Sequence, residues 1–269
     1  MSIATVILAA GKGTRMNSDI PKVLHPIAGA PMLVHALQAA RSQEPDRMVV
    51  VAGHGAEAVS QAVHGYDEDV QVVVQEEQLG TGHAVQQARA ALDGFEGTVI
   101  VLYGDTPFVR PETLEAMVAA RAKQDVVVLG FEAADPGRYG RLKMAGETLE
   151  AIVEFKDASE DERAISLCNS GVVACDAATL FSLLDEVNND NAAGEFYLTD
   201  IIGLARARGL SAGVVTCPEA ETLGINSRAE LAAADALFQQ TARAAAMEDG
   251  VTLLDPASIY FSYDTFIGR

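Results

Sequence analysis

Strand-like apolar runs alternate with helical patterns through the first half of the chain, and this order constrains the fold more than any other feature. The apolar runs end at Leu8, Ala52, Gln75, Tyr103 and Phe131. The helical patterns cover residues 31–42, 56–64, 81–92 and 111–123. Because strands joined by crossover helices lie parallel, the pattern predicts an α/β fold with a mostly parallel sheet covered by helices.

In a sheet of this kind, ligands bind beyond the carboxyl ends of the strands, near the point where the strand order reverses. The loops that follow Leu8, Gln75 and Tyr103 combine glycine with polar or charged side chains. These three loops are therefore where we expect a binding site.

The pattern changes after residue 138. Short strand candidates at 141–144, 151–155 and 169–173 are separated by charged turns, and we expect them to form a small β-rich lid over the end of the sheet. Residues 227–247 are rich in alanine and open with a capping box, Ser227 to Glu230, which predicts a helix. This helix is typical of a connecting arm.

Composition excludes several kinds of partner. The 269 residues are 49% hydrophobic, enough for one large domain with a sizeable core. The formal charge of -19 would repel nucleic acids and anionic membranes, so we expect neither to bind. The first apolar stretch, residues 5–10, is too short to span a membrane, which favours a cytoplasmic protein. Cys168, Cys175 and Cys217 form no CxxC pair and are expected to be core residues.

Positive charge is concentrated in one loop of this acidic chain. Residues 8–16, LAAGKGTRM, follow the first strand, and their glycines let backbone N–H groups approach a phosphate. Lys12, Arg15 and Lys22 add cations, although the loop fits neither the GxGxxG nor the GxxxxGK[ST] pattern. A polyphosphate site is one interpretation, and a strand-to-helix turn with solvated basic side chains is the other.

This loop is the first of eight motifs that occur in order. LAAGKGTRM with PKVL at 21–24, QEEQLGTGHA at 75–84 and YGDTP at 103–107 resemble the sugar-phosphate nucleotidyltransferases. The later motifs are similar to those of the bacterial bifunctional N-acetylglucosamine-1-phosphate uridylyltransferase/glucosamine-1-phosphate acetyltransferase family. They are GRYGR at 137–141, VEFKD at 153–157, NSG at 169–171, GEFYLTD at 194–200 and GIN at 224–226.

The resemblance implies a Rossmann-like nucleotidyltransferase fold with three parts. Residues 1–226 would form the uridylyltransferase domain, 227–249 a C-terminal linker helix, and 250–269 a stub before a left-handed β-helix. Because the chain stops where that β-helix would begin, we expect no acetyl transfer and a monomeric state.

The implied reaction joins UTP to N-acetylglucosamine 1-phosphate, releases pyrophosphate and supplies a precursor of peptidoglycan and lipopolysaccharide. A sugar-phosphate oxygen would attack the α-phosphorus in line, so no general base is required. Histidine then needs no catalytic role, and a solvated or core position is expected for each of His25, His35, His54, His64 and His83.

The resemblance also assigns roles to charged residues. Asp105 and Asn226 would hold Mg²⁺, whose preferred ligands are oxygens. Arg15 and Lys22 would be the catalytic cations that stabilise the triphosphate, with Lys12 as a further candidate. The alternatives are that Asp105 is a turn residue before Thr106 and that Asn226 caps a helix.

Contacts to the base and sugar rest on the resemblance. Gln75 with the backbone of Gly80 and Thr81 would bind uracil, and Glu154 would bind the sugar; a surface glutamine and a charge pair of Glu154 with Lys156 are the alternatives. Two rival functions are a nucleotidyltransferase with another base or acceptor and a catalytically silent nucleotide-sugar sensor. The full set of implied substrate-binding residues is Leu8, Ala9, Ala10, Gly11, Lys22, Gln75, Gly80, Thr81, Tyr103, Gly104, Asp105, Gly140, Glu154, Asn169 and Asn226.

Overall fold

The computed structural model describes residues 2–268, which form both strands and helices. The strands are β1 (Ile3–Ala9), β2 (Pro26–Ile27), β3 (Ala30–Pro31), β4 (Arg47–Ala52), β5 (Gln71–Val74), β6 (Thr98–Tyr103), β7 (Val126–Glu132), β8 (Arg141–Ala145), β9 (Thr148–Val153), β10 (Leu167–Asp176) and β11 (Ala212–Thr216). The α-helices are α1 (Met32–Arg41), α2 (Ala56–Tyr66), α3 (Thr81–Gln87), α4 (Pro111–Arg121), α5 (Glu160–Arg163), α6 (Ala177–Leu184), α7 (Asp200–Ala207) and α8 (Arg228–Glu248).

The main sheet has the strand order β11-β7-β10-β6-β1-β4-β5. β1 pairs in parallel with both β4 and β6, β4 with β5, and β7 with β11, whereas β10 is antiparallel to β6 and β7. The prediction of a mostly parallel sheet is therefore confirmed. The strand order reverses beside β1, because β4 lies on one side of it and β6, which comes later in the chain, lies on the other.

Helices cover both faces of the sheet. Successive side chains of a strand point to opposite faces, and in β1 both sets are buried. Val6 and Leu8 belong to a core cluster with residues of α3, α6 and α7, whereas Ile7 and Ala9 belong to a second cluster with residues of α1, α2 and α4. This burial on two sides explains why the strand reads as a continuous apolar run rather than as an alternating one.

The region predicted to form a lid divides into two parts. β8 and β9 form an antiparallel hairpin that is attached to β10 through the pairing of Cys168 with Arg141. The third candidate, residues 169–173, belongs instead to the ten-residue strand β10 in the middle of the main sheet. A strand between β6 and β7 is buried on both faces, and sequence order alone does not reveal such an antiparallel insertion.

Helix α8 lies against its own domain. Ala234 of α8 is buried with Ile27, Met32 and Ile225, and Phe238 packs against the same cluster. Asp235 accepts a hydrogen bond from the backbone N–H of Ala28 at 2.8 Å. Within residues 2–268, no helix is both long enough and apolar enough to cross a membrane.

The segment after α8 folds back onto the helix through one buried side chain. Gln239 Nε2 donates to the carbonyl of Phe261, and Gln239 Oε1 accepts from the N–H of Phe261, each at 2.7 Å. We expect Gln239→Ala to lower the free energy of unfolding by about 1–3 kcal/mol, because it leaves two buried backbone groups without partners. Thermal or urea unfolding measures this, with the exposed neighbour Gln240→Ala as the control. Equal stability of the two variants would contradict the assigned role.

Candidate active site

A cavity of about 280 Å³ opens at the carboxyl ends of β1 and β6. Leu8 and Tyr103 are direct partners in the parallel pairing of these strands, so the loops that follow them are neighbours. The cavity therefore lies at the predicted reversal of strand order. Its lining contains the predicted residues Leu8, Ala9, Ala10, Gly11, Lys22, Gln75, Gly80, Thr81, Tyr103 and Asp105, together with Val23, Gln78, Ala84 and Glu195, which the sequence did not single out as site residues.

The glycine loop forms one wall of the cavity. Gly13 has φ 59°, and a Cβ at this position would lie 2.5 Å from Cβ of Lys22, so a larger residue would displace Lys22. Lys12 and Arg15 are exposed, and in the described part of the chain neither makes a hydrogen bond or ion pair. Of the three predicted cations, only Lys22 lines the cavity, and Lys12 and Arg15 are exposed residues of the glycine loop.

The Lys22 ammonium group joins two other predicted residues. Its Nζ forms an ion pair with Asp105 Oδ2 and donates a hydrogen bond of 2.9 Å to Asn226 Oδ1. The side chains of Lys22 and Asp105 are only 11% and 18% exposed, so their attraction is less screened than that of a surface pair. Residues separated by 204 positions in the sequence thus converge on one cation.

Asn226 reaches this position through the backbone that precedes α8. Ile225 N–H donates to the carbonyl of Asp105 at 3.0 Å, which fixes residues 224–226 beside the end of β6. Ser227 caps α8 as predicted by accepting from the N–H of Glu230, but the Glu230 carboxylate binds the N–H of Asn226 rather than that of Ser227. The predicted capping box is therefore only half right, and Glu230 instead holds the main chain of Asn226.

Arg228 fastens the glycine loop to the start of the same helix. Its Nε donates to the carbonyl of Met16 at 3.1 Å, and Met16 itself is buried. One end of α8 therefore carries Asn226 into the site and also restrains the loop that contains Arg15.

Asp105 and Asn226 are the residues that could hold a metal ion. Both side-chain oxygens already contact a single cation, the Lys22 ammonium, so they lie close enough to share one. Within residues 2–268, no group of three or more His, Cys, Asp or Glu side chains is arranged to bind a metal. Two oxygens fit a hard ion such as Mg²⁺, which takes few protein ligands when phosphate and water supply the others.

Gln75 lines the cavity and lies directly after β5. It is only 3% exposed, so the alternative of a surface glutamine is wrong. Gly80, with φ 118°, packs so closely against Phe196 that a Cβ would lie 2.6 Å from the Phe196 carbonyl oxygen. The N–H of Gly82 donates to that carbonyl at 2.8 Å, so the 195–198 segment supports this wall.

Tyr103 separates this pocket from Glu154. Gly171 has φ 93°, and a Cβ there would lie 2.6 Å from Cε2 of Tyr103, so glycine is needed where the ring packs on β10. Burial, with the nearby carboxylates of Glu154 and Asp105, raises the pKa of Tyr103, which keeps its hydroxyl neutral. Asn169 Oδ1 accepts from the N–H of Gly171 at 2.9 Å and so stabilises the irregular part of β10.

Glu154 is half-buried at the end of β9. Thr199 Oγ1 donates to its Oε1 at 3.1 Å, and in the described part of the chain Glu154 forms no ion pair with Lys156. Gly140 lies next to the Glu154 carboxylate, since a Cβ on Gly140 would be 3.4 Å from Glu154 Oε1. Burial raises the pKa of the Glu154 carboxyl, the hydrogen bond from Thr199 opposes this shift, and Asp200 adds to it.

Most of the histidines and cysteines lie where the sequence predicted them. His54 and His64 are exposed, whereas His25, His35, Cys168 and Cys175 are buried. His83 is partly exposed, and its Nδ1 lies 2.9 Å from Gln75 Nε2. The motif at 75–84 contained both residues, but the pattern of residue types did not indicate that their side chains meet.

Comparison with known proteins identifies this arrangement. The family described as the MobA-like NTP transferase domain matches residues 5–197, which include the glycine loop, Gln75, Asp105 and Glu154. The chain belongs to this family. It is thus a nucleotidyltransferase.

Curated relatives match this chain over its whole length, which confirms the resemblance drawn from its sequence motifs. The bifunctional protein GlmU of Roseobacter denitrificans (strain ATCC 33942 / OCh 114) is 65% identical over 269 residues, and that of Ruegeria sp. (strain TM1040) is 66% identical over 269 residues. In both cases the match covers 100% of this chain and 60% of the relative. The chain therefore spans about 60% of the length of these relatives.

Solved structures with the same fold are more distant in sequence. A UDP-glucose pyrophosphorylase complexed with UDP-glucose superimposes with a TM-score of 0.72 at 20% identity, over 90% of this chain and 100% of the other. Its apo form gives a TM-score of 0.70 at 20% identity with the same coverage. At this identity, the likeness establishes the fold of this chain.

The raised pKa of Glu154 leads to a prediction about stability. Because the folded state holds the proton more tightly than the unfolded state, ionised Glu154 costs stability above its ordinary pKa, and this cost disappears as pH falls through the raised value. We expect Glu154→Gln to melt at a higher temperature than the parent at about pH 8, with the difference shrinking toward about pH 5. The control is Glu150→Gln, exposed on the same strand. A difference independent of pH would contradict the prediction.

Proposed function

We propose that the chain transfers a uridylyl group from UTP to N-acetylglucosamine 1-phosphate and releases pyrophosphate and UDP-N-acetylglucosamine. The observation that carries the proposal is the convergence of Lys22, Asp105 and Asn226 at a cavity whose lining also holds a buried carboxamide, Gln75. A cation for phosphates and a hydrogen-bonding carboxamide for a base suit a nucleoside triphosphate.

The phosphate end would act by position and charge. Backbone N–H groups of residues 9–13 would approach the phosphates where glycine leaves room, and Lys22 would supply a buried ammonium. Arg15, exposed beside the cavity, is free to reach the departing pyrophosphate. These groups stabilise charge as it develops on the leaving group, which is the main requirement of phosphoryl chemistry.

The sugar phosphate would bind on the other side of Tyr103. Glu154 offers a carboxylate to hydroxyl groups, and Gly140 leaves space beside Glu154. Among residues 2–268, the side-chain nitrogen of Asn169 has no hydrogen-bond partner, so it could donate to the sugar. The phosphate oxygen of this substrate is ionised near neutral pH, so it can attack the α-phosphorus without a general base. The solved structure with the same fold and bound UDP-glucose is that of a UDP-glucose pyrophosphorylase, and UDP-glucose is a similar nucleotide sugar.

Asp105 and Asn226 would hold Mg²⁺, in line with their paired oxygens. When bound, this ion would neutralise phosphate charge and polarise the reacting phosphoryl group. Lys22 lies between the two side chains and remains within reach of phosphate oxygens on the cavity side.

Removal of the proposed ligands should lower turnover while the protein remains folded. We expect Asp105→Ala to lower kcat by about 100-fold or more and Asn226→Ala to have a milder effect, because both act on charge in the transition state. Pyrophosphate release beside a thermal melt measures this, and Asp69→Ala, an exposed aspartate outside the cavity lining, is the control. Near-parental turnover in Asp105→Ala would remove the metal assignment.

Substrate choice provides the second test. We expect kcat/KM to favour UTP over CTP and the N-acetylated sugar phosphate over glucose 1-phosphate, since unpaired buried polar groups cost about 1–3 kcal/mol each. The measurement is a matrix of nucleotides and sugar phosphates with Mg²⁺ present or chelated. Equal values across the matrix would favour a general sugar nucleotidyltransferase, and binding without turnover would favour a nucleotide-sugar sensor.

A further inference from the structure

The orientation of the Gln75 carboxamide follows from its neighbours. Gln75 Nε2 lies 3.1 Å from the carbonyl oxygen of Gly80. A carbonyl oxygen can only accept a hydrogen bond, so the amide atom that faces it must be the nitrogen. Gln75 is almost fully buried, and water cannot compensate for the opposite orientation.

The same nitrogen has a second partner, the imidazole of His83. Gln75 Nε2 lies 2.9 Å from His83 Nδ1. Since Nε2 is a donor, Nδ1 must be the unprotonated acceptor nitrogen, and a neutral His83 then carries its hydrogen on Nε2. His83 sits on α3, directly beyond the loop that carries Gly80. Two acceptors therefore use both hydrogens of the Gln75 amide.

Gln87 competes for the imidazole but is the weaker partner. Its Nε2 lies 3.2 Å from His83 Nε2 and 3.0 Å from the His83 carbonyl oxygen. A neutral imidazole accepts at only one nitrogen, so His83 cannot accept from both glutamines. Gln87 is partly exposed and can turn toward water, whereas Gln75 is buried and cannot. The hydrogen bond from Gln75 therefore determines the tautomer.

What remains for a ligand is the oxygen of Gln75. Within residues 2–268, no hydrogen bond reaches Gln75 Oε1, and Gln75 lines the cavity. An outward oxygen pairs with a base that presents a ring N–H, as the uracil imide does. Cytosine presents an unprotonated ring nitrogen at the corresponding position, and two acceptors facing each other repel.

We propose that His83 is a positioning residue that sets the choice of base: by accepting the second Gln75 N–H, it holds the carboxamide oxygen toward the ligand and so selects uracil over cytosine. The inference rests on the proposed function, because it names the residue that would give uridylyl transfer its specificity. His83 itself need not touch the nucleotide.

The test compares UTP with CTP in three variants. We expect His83→Ala to reduce the UTP/CTP ratio of kcat/KM by about 10-fold, mainly through KM. In this variant, rotation of the Gln75 carboxamide breaks only the hydrogen bond to Gly80, whereas in the parent it breaks the bonds to both Gly80 and His83. His83→Asn should retain most of the ratio, since its side-chain oxygen can replace Nδ1 as acceptor. His64→Ala removes an exposed histidine of α2 and should leave the ratio unchanged.

The outcomes distinguish a failure of the proposed function from a failure of the role of His83. Equal kcat/KM for UTP and CTP in the parent protein would overturn the proposed function and with it this role of His83. A parental preference that survives His83→Ala, in a variant that melts cooperatively, would overturn the role of His83 alone.

A second measurement does not depend on the variants folding. Long-range ¹H–¹⁵N spectra of the parent protein report which imidazole nitrogen carries hydrogen. We expect His83 to be protonated at Nε2, and protonation at Nδ1 would overturn the proposal.

Discussion

The site depends on the contact of Lys22 with Asp105 and Asn226. Lys22 follows the glycine loop, Asp105 follows β6, and Asn226 precedes α8, so one ammonium group ties together three parts of the chain. The contact also satisfies a buried cation that would otherwise be costly. Because the same three side chains carry the proposed phosphate and metal chemistry, the arrangement that stabilises the site also supplies its function.

The positive charge of this region contrasts with the negative charge of the whole protein. A formal charge of -19 would repel a triphosphate at long range, yet Lys12, Arg15 and Lys22 present positive charge where the proposed phosphates would bind. Gln75 lies in the same lining, where its partners are the carbonyl of Gly80 and the imidazole of His83, and Glu195 adds a carboxylate. The cavity thus offers a cation for phosphates and a carboxamide for a base.

Glu154 illustrates how such a site costs stability. A half-buried carboxylate with Asp200 and Asp157 nearby is harder to ionise than a free one, and only Thr199 among its described neighbours donates a hydrogen bond to it. A hydroxyl-rich ligand would supply further donors. The Glu154 carboxylate therefore accepts few hydrogen bonds in the free protein, and the proposed sugar-binding role explains why.

The sequence by itself determined the α/β class and the position of the cavity. These follow from local rules: buried parallel strands are continuously apolar, and glycine with basic residues after the first strand marks a place for phosphate. The family resemblance carried by the eight motifs added most residues of the lining, and it assigned Gln75, Asp105, Glu154 and Asn226 to one site. Only the tertiary structure decided that β10 lies antiparallel inside the sheet, that Glu230 binds the N–H of Asn226, and that His83 meets Gln75. The physical reason is that strand pairing and side-chain hydrogen bonds depend on distances between groups after folding, which local patterns of residue type do not contain.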